Sequence, residues 1–276
     1  MLHSLRGHHT LAHQALQKVA DRQNSSKQKR RSFLKGGLAS LLLISGAGAV
    51  WQFKQPGYSE AFETAKGKKS RHTLPDGTEI TLNTDSQVEV SFYQTKRAIH
   101  LIKGEVLIST GTDSSHWFGA RTLQVDVNGH VFEPVGTRFI LRRESGDSVL
   151  LHVTEGAVRI RSQSNTTRIA KSRESFEVNS SHQIERQWFS HLKADGWTSG
   201  VLEVESMNLG QFVQELQRYT EMDLQVAPQA AGLKVSGVFQ IKNHQSVIDS
   251  LSTLERTLPV KLSISDQQIQ LLNTQP

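Results

Sequence analysis

The stretch LPDGTEITLNTDSQVEVSF, residues 74–92, decides how the body of this chain folds. Pro75-Asp76-Gly77 reads as a tight turn, because proline presets its own φ and glycine accepts a positive one. EITLNTD and then QVEVSFY alternate apolar and polar side chains with a period of two, the mark of a half-buried strand.

Outward from this stretch the same pattern recurs between turn signals: AIHLIKG, EVLIST, LQVDVNG, TRFILRRE, SVLLHVTEG, AVRIRS, SFEVNS and QIERQW. The run predicts an all-β sandwich or stacked-strand domain over residues 58–188. From Trp197 the period changes. VLEVE reads as a strand, and SMNLGQFVQELQRYT puts Met207, Leu209, Phe212, Val213, Leu216 and Tyr219 on one helical face. DLQVA and KVSGVFQI are strands, HQSVIDSLSTLERTL is a second striped helix, and VKLSIS and QIQLL close as strands. Strand–helix–strand therefore occurs twice, a repeated βαβ module over residues 197–272. The fold class is mainly β with an α+β C-terminal module. The helical stripes read as core; a partner groove is the second reading, with Leu209, Phe212, Leu216 and Tyr219 as its contacts.

Upstream, KRRSFLKGGLASLLLISGAGAVW spans residues 29–51. Gly36 to Phe53 are uncharged, and as a helix such a run of 18 rises about 27 Å, close to the roughly 30 Å hydrocarbon core. This predicts a single transmembrane helix over residues 36–53. Residues 1–35 hold eight of the 32 Lys/Arg and one of the 26 Asp/Glu, which leaves 24 basic and 25 acidic residues in 36–276. The positive-inside rule then places residues 1–35 in the cytoplasm and 54–276 outside. The net charge of +6 belongs to the tail, so the body has no basic stripe for nucleic acid. Arg30, Arg31, Phe33 and Leu34 resemble a twin-arginine export signal, a receptor-read address. Ala47-Gly48-Ala49 has the form of a signal-peptidase site, so a cleaved leader is the alternative to a retained anchor.

With no cysteine, disulfides, thiolate zinc sites and a cysteine nucleophile are excluded. There is no P-loop, no dinucleotide fingerprint after a strand, no H-E-x-x-H and no G-x-S-x-G. His9 and His13 lack a nearby acid, so neither a metal nor a cofactor is expected. The chain reads as no ordinary enzyme.

Several stretches together resemble the FecR family of inner-membrane regulators of iron uptake: 64–92, 97–110 (RAIHLIKGEVLIST), 135–141 (VGTRFIL), 153–160 (VTEGAVRI) and the closing run from ADGW to VKLSIS. The L-P-D-G-T…L-N-T-x-S block, followed in order by G-E and G-T-x-F, is the specific part. The resemblance implies a cytoplasmic tail that touches an extracytoplasmic-function sigma factor and one membrane-spanning helix. It also implies a periplasmic part that meets the signalling domain of a TonB-dependent outer-membrane receptor. The repeated βαβ units then match a module similar to the short N-terminal domains of secretins and TonB-dependent receptors. Some family members cut themselves at a Gly-Thr bond, and the matching bond here is Gly136-Thr137; the other reading of the pair is a glycine at a strand entry before Phe139, which packs in the core. Family members usually carry a longer, tryptophan-bearing cytoplasmic domain, whereas all four tryptophans here lie at residue 51 or beyond. The start of the chain is then truncated, misassigned or a reduced tail. The alternative to a signal-relaying regulator is a twin-arginine-exported periplasmic binding protein.

Overall fold

Val125 faces Phe132 across a hairpin whose turn is Asn128-Gly129, both with positive φ (52° and 74°). It joins β7 (Thr122–Val127) to β8 (His130–Arg143), and β8 continues into β9 (Val149–Arg161). The computed structural model describes residues 56–113, 119–187, 194–265 and 268–274. The expected tail 1–35, the membrane helix 36–53 and the export residues Arg30, Arg31, Phe33 and Leu34 lie outside them. No described helix is long and apolar enough to cross a membrane.

The long β8–β9 ribbon organises the β domain. On one edge of β8, the first half pairs with β7 and the second half with β6 (Glu105–Ser109). Likewise β9 gives its second half to β10 (Thr167–Lys171) and its first to β11 (Ser175–Val178). The β8–β9 register breaks between Val135 and Arg138. Gly136 and Gly156 sit at the break with φ of 57° and 78°. A bulge with left-handed glycines turns a strand pair from one layer into another. One layer runs on through β5 (Lys96–Lys103), β4 (Gln87–Phe92) and β1 (Tyr58–Glu63). The other holds β3 (Glu79–Leu82), β2 (Ser70–Thr73) and β12 (Ile184–Gln187). Val90, Ile99 and Phe132 from the first layer and Ile80, Phe139 and Leu151 from the second are fully buried in one shared core. Each such side chain contributes about 1.5–3 kcal/mol by leaving water.

The expected segments SVLLHVTEG and AVRIRS are one strand, β9. The strands β1, β2 and β10 were not legible, because β2 (SRHT) has no large apolar residue and β10 buries only Ala170.

The C-terminal module comprises β13 (Val201–Asn208), α1 (Leu209–Gln217), β14 (Asp223–Val226), β15 (Lys234–Gln240), α2 (His244–Thr257), β16 (Val260–Ile264) and β17 (Gln268–Asn273). Two details differ from the periodic reading. Met207 is in β13 and Tyr219 lies beyond α1, although both still pack in the module's core. The strands flanking α1 also lie in different sheets: β13 pairs antiparallel with β15, while β14 runs parallel to β17, which pairs with β16. The module is therefore a two-stranded and a three-stranded sheet with two helices. A capping box starts α2, with Ser246 N donating to Asn243 Oδ1 at 2.9 Å and Asn243 N to Ser246 Oγ at 3.0 Å.

Candidate functional site

The L-P-D-G-T turn is held from below. Asp76 accepts from Thr78 N at 2.9 Å and from Thr78 Oγ1 at 2.7 Å, and it pairs with Arg97. Gly111 passes so close that a Cβ there would lie 2.2 Å from Asp76 O. Asp113 and Arg121 complete the buried cluster at 2.8 Å. Hydrogen bonds from Arg121 hold the Asp113 carboxyl below its ordinary range, against the upward push of burial.

The L-N-T-x-S and G-E segments meet at the other end of β3. Ser86 Oγ donates to Glu105 O at 3.1 Å and accepts from Glu105 N at 2.9 Å. Gly104, at φ 80°, is required there, because a Cβ would lie 2.2 Å from Ser86 Oγ. This clasp aims Asn83 and Glu105 at the C-terminal module. Asn83 Nδ2 donates to Glu105 Oε2 at 2.7 Å and to Tyr219 Oη at 2.9 Å. Arg218 Nη2 donates to Glu105 Oε2 at 2.7 Å, and its Nη1 to Glu215 Oε1 at 2.5 Å. Arg142 of β8 donates to Glu215 Oε2 at 2.8 Å and pairs with Glu144 at 2.6 Å. Thr84 Oγ1 donates to Arg218 O at 2.7 Å. Leu107 and Ile140, on β6 and β8, project into the core of the C-terminal module.

The junction is thus an alternating chain of charges, Glu144–Arg142–Glu215–Arg218–Glu105, threaded between two modules. Burial pushes the Glu215 carboxyl up, but Arg218 and Arg142 outweigh it and hold its pKa below the ordinary value. The same carboxylates raise Arg218 well above its ordinary pKa despite its burial. Asn83 Oδ1 is buried without a hydrogen-bond partner among the described residues. Such an arrangement holds and orients. Among the described residues no three His, Asp or Glu side chains converge as metal ligands.

Of the residues singled out from sequence, Gly136 and Thr137 lie at the corner of the β8–β9 ribbon. Thr137 is buried, accepts from Val135 N at 3.0 Å and donates to Ala157 O at 2.7 Å. Leu209, Phe212 and Leu216 are fully buried in the module's own core, and Tyr219 is 4% exposed with its hydroxyl at the junction. Sequence reasoning did not single out Glu105, Asn83, Arg142, Glu215 and Arg218. The signal for the first two was the adjacency of G-E and L-N-T-x-S in one motif set; the other three carry no pattern.

Two crystal structures of a candidate anti-sigma factor from Parabacteroides distasonis ATCC 8503 share this fold. One superposes with a TM-score of 0.63 at 17% identity, over 79% of this chain and 100% of the other. The second gives 0.63 at 18% identity, over 78% and 100%. No curated protein sequence matches the chain. The profile of the FecR protein family matches residues 60–159, the span that contains the turn, the clasp and the Gly136-Thr137 corner. Residues 60–159 of this chain are a FecR domain.

Proposed function

We propose that the chain is an inner-membrane regulator of an extracytoplasmic-function sigma factor. It relays a periplasmic signal from a TonB-dependent outer-membrane receptor and so controls transcription of iron or siderophore uptake genes. The observation that carries this reading is the FecR domain joined by a charged, buried junction to a separate C-terminal module. A relay needs a receiving part and a transmitting part that move together, and the junction makes the two modules one body. The shared fold of the Parabacteroides candidate anti-sigma factor supports the same reading.

In this reading residues 1–35 face the sigma factor, 36–53 cross the membrane, and the receptor's signalling domain meets the module at 197–272. The chain needs no cofactor, touches no nucleic acid and turns over no external substrate. One covalent event belongs to the reading, cleavage of its own Gly136–Thr137 bond. The Thr137 hydroxyl oxygen attacks the Gly136 carbonyl carbon, the C–N bond breaks, and the nitrogen takes the hydroxyl proton. Water then hydrolyses the ester to a Gly136 carboxylate and a new amino terminus at Thr137.

The test is deletion of residues 200–276 from the chromosomal copy, with a reporter on the uptake genes. Loss of siderophore-induced transcription is expected. Undiminished induction would overturn the placement of the receptor contact.

A further inference from the structure

Edge strands carry unpaired backbone groups, and proteins guard them with charge, proline or brevity. This chain guards its edges with Glu60 in β1, Arg71 in β2, Arg168 in β10, Glu185 in β12, Glu203 in β13 and Lys261 in β16. β14 is only four residues long. β15 is different. It is seven residues long, KVSGVFQ, with no charge after its first residue. Among the described residues it pairs with β13 along one side only. On its other side, among the described residues, the hydrogen bond to a side chain is that of Ser250 Oγ to Gln240 O at 3.0 Å. Val238, mid-strand, is 61% exposed.

The open side is a groove. A cavity of about 520 Å³ runs between β15 and α2, and Ser246, Ser250, Thr253, Leu254 and Thr257 form its helical wall. Those side chains are short or apolar, so a second backbone fits beside the strand without meeting a bulky group. Lys234 and Asp249 carry opposite charges on the lining, so the groove as a whole is neutral and selects no charged ligand. The module itself shows what is missing, for among the described residues its other sheet has three strands and this one has two. Two-stranded sheets are marginal, and a third strand is the ordinary remedy.

We propose that the β15–α2 groove takes an extended, uncharged strand of the receptor's signalling domain, which adds to the free edge of β15 and lies against α2. The inference rests on the reading of the chain as a receptor-driven regulator. Strand addition draws affinity from main-chain hydrogen bonds and specificity from alternate side chains. An added strand extends about 3.3 Å per residue, so β15 offers it roughly 20 Å of edge.

The experiment uses the full-length chain in detergent and, as probe, the isolated signalling domain of the TonB-dependent receptor whose deletion abolishes induction. Binding and backbone amide exchange are measured for wild type, Val238→Lys and Ser236→Lys, with Ile264→Lys on the exposed face of β16 as control. The expected result is slowed exchange along β15 on adding the probe, at least tenfold weaker binding for both β15 variants, and unchanged binding for Ile264→Lys. Binding that both β15 variants retain, with no protection along β15, overturns the groove and leaves the receptor-driven reading standing. No binding by wild type overturns that reading and the groove with it. A dimer of the chain that Val238→Lys dissociates, without an effect on the probe, shows the edge to be self-complementary and overturns the assignment to the receptor.

Discussion

Arg218 and Glu105 belong to different modules, lie 113 residues apart, and meet at 2.7 Å with the Glu105 side chain 6% exposed. A buried pair is worth little against an apolar pair of the same shape, but losing one partner strands a charge at about 3–5 kcal/mol. Arg218→Met is therefore expected to lower stability by about 3 kcal/mol, because it also leaves Glu215 with Arg142 as its one cationic partner among the described residues, and Glu105→Gln by less. Chemical denaturation of the single variants and the double variant gives the coupling. Purely additive losses would show that the pair does not join the modules.

Gly104 and Gly77 share a left-handed φ, 80° and 79°, but not their surroundings. A Cβ at Gly104 would collide with Ser86 Oγ and the Asp85 carbonyl; at Gly77 nothing among the described residues lies within 4 Å. Gly77→Ala carries only the backbone cost of about 1–2 kcal/mol. Gly104→Ala adds displacement of the clasp that aims Glu105, so its loss is predicted to exceed that of Gly77→Ala by at least 1 kcal/mol, within the range of strained substitutions. Equal losses would mean that the clasp yields freely.

These cases show what the sequence could carry. The strands β3 and β4 were legible because one face of each is core and the other is wet, which writes itself as alternation. The junction was not, because Glu105, Glu215, Arg142 and Arg218 look like surface charges until the fold brings them together. Periodicity even misled at the ends of α1: Met207 and Tyr219 fit a 3.6-residue stripe, yet they reach the same core from a strand and a loop. Gly136 was legible as a glycine before a buried Phe139, but its role as a corner needed the split pairing of β8.

His130 is buried, and burial together with the nearby His182 holds its pKa below the ordinary value, against a smaller opposing pull from Asp126. Its Nδ1 accepts from Gln163 N at 3.1 Å, as a neutral ring does. The unfolded chain therefore takes up the proton first as pH falls. The contribution is complete above the unfolded pKa of about 6.5 and is lost as pH drops through the lower folded value. The denaturation midpoint is predicted to fall between pH 7 and pH 5, and less steeply in His130→Gln. Identical slopes for the two proteins would exclude His130 as the titrating group.

Export is predicted to need Arg30 and Arg31 as arginines. Lysine keeps the charge but not the planar fork that a receptor reads. Changing both to lysine is expected to leave the C-terminus protected from protease added to spheroplasts. Unimpaired exposure would show that the pair serves only as a positive flank.

The Gly136–Thr137 bond is the most local of these tests. A left-handed φ of 57° at Gly136 and a register break hold the peptide in a conformation that a regular strand would not. Gly156 leaves the room for it, since a Cβ there would lie 2.5 Å from Gly136 O and 3.1 Å from Thr137 Oγ1. The Thr137 hydroxyl already points its proton at Ala157 O, 2.7 Å away, so the oxygen must trade that bond for attack. Cleavage is therefore expected to be slow, over hours rather than seconds, and to give fragments 1–136 and 137–276. Thr137→Ser should still cut, and Thr137→Ala should stay whole. Gly156→Ala crowds the carbonyl and should change the rate without touching the nucleophile. A wild-type protein that remains one band through long incubation, with an unmodified mass, would leave Gly136 and Thr137 with the structural role of the corner alone.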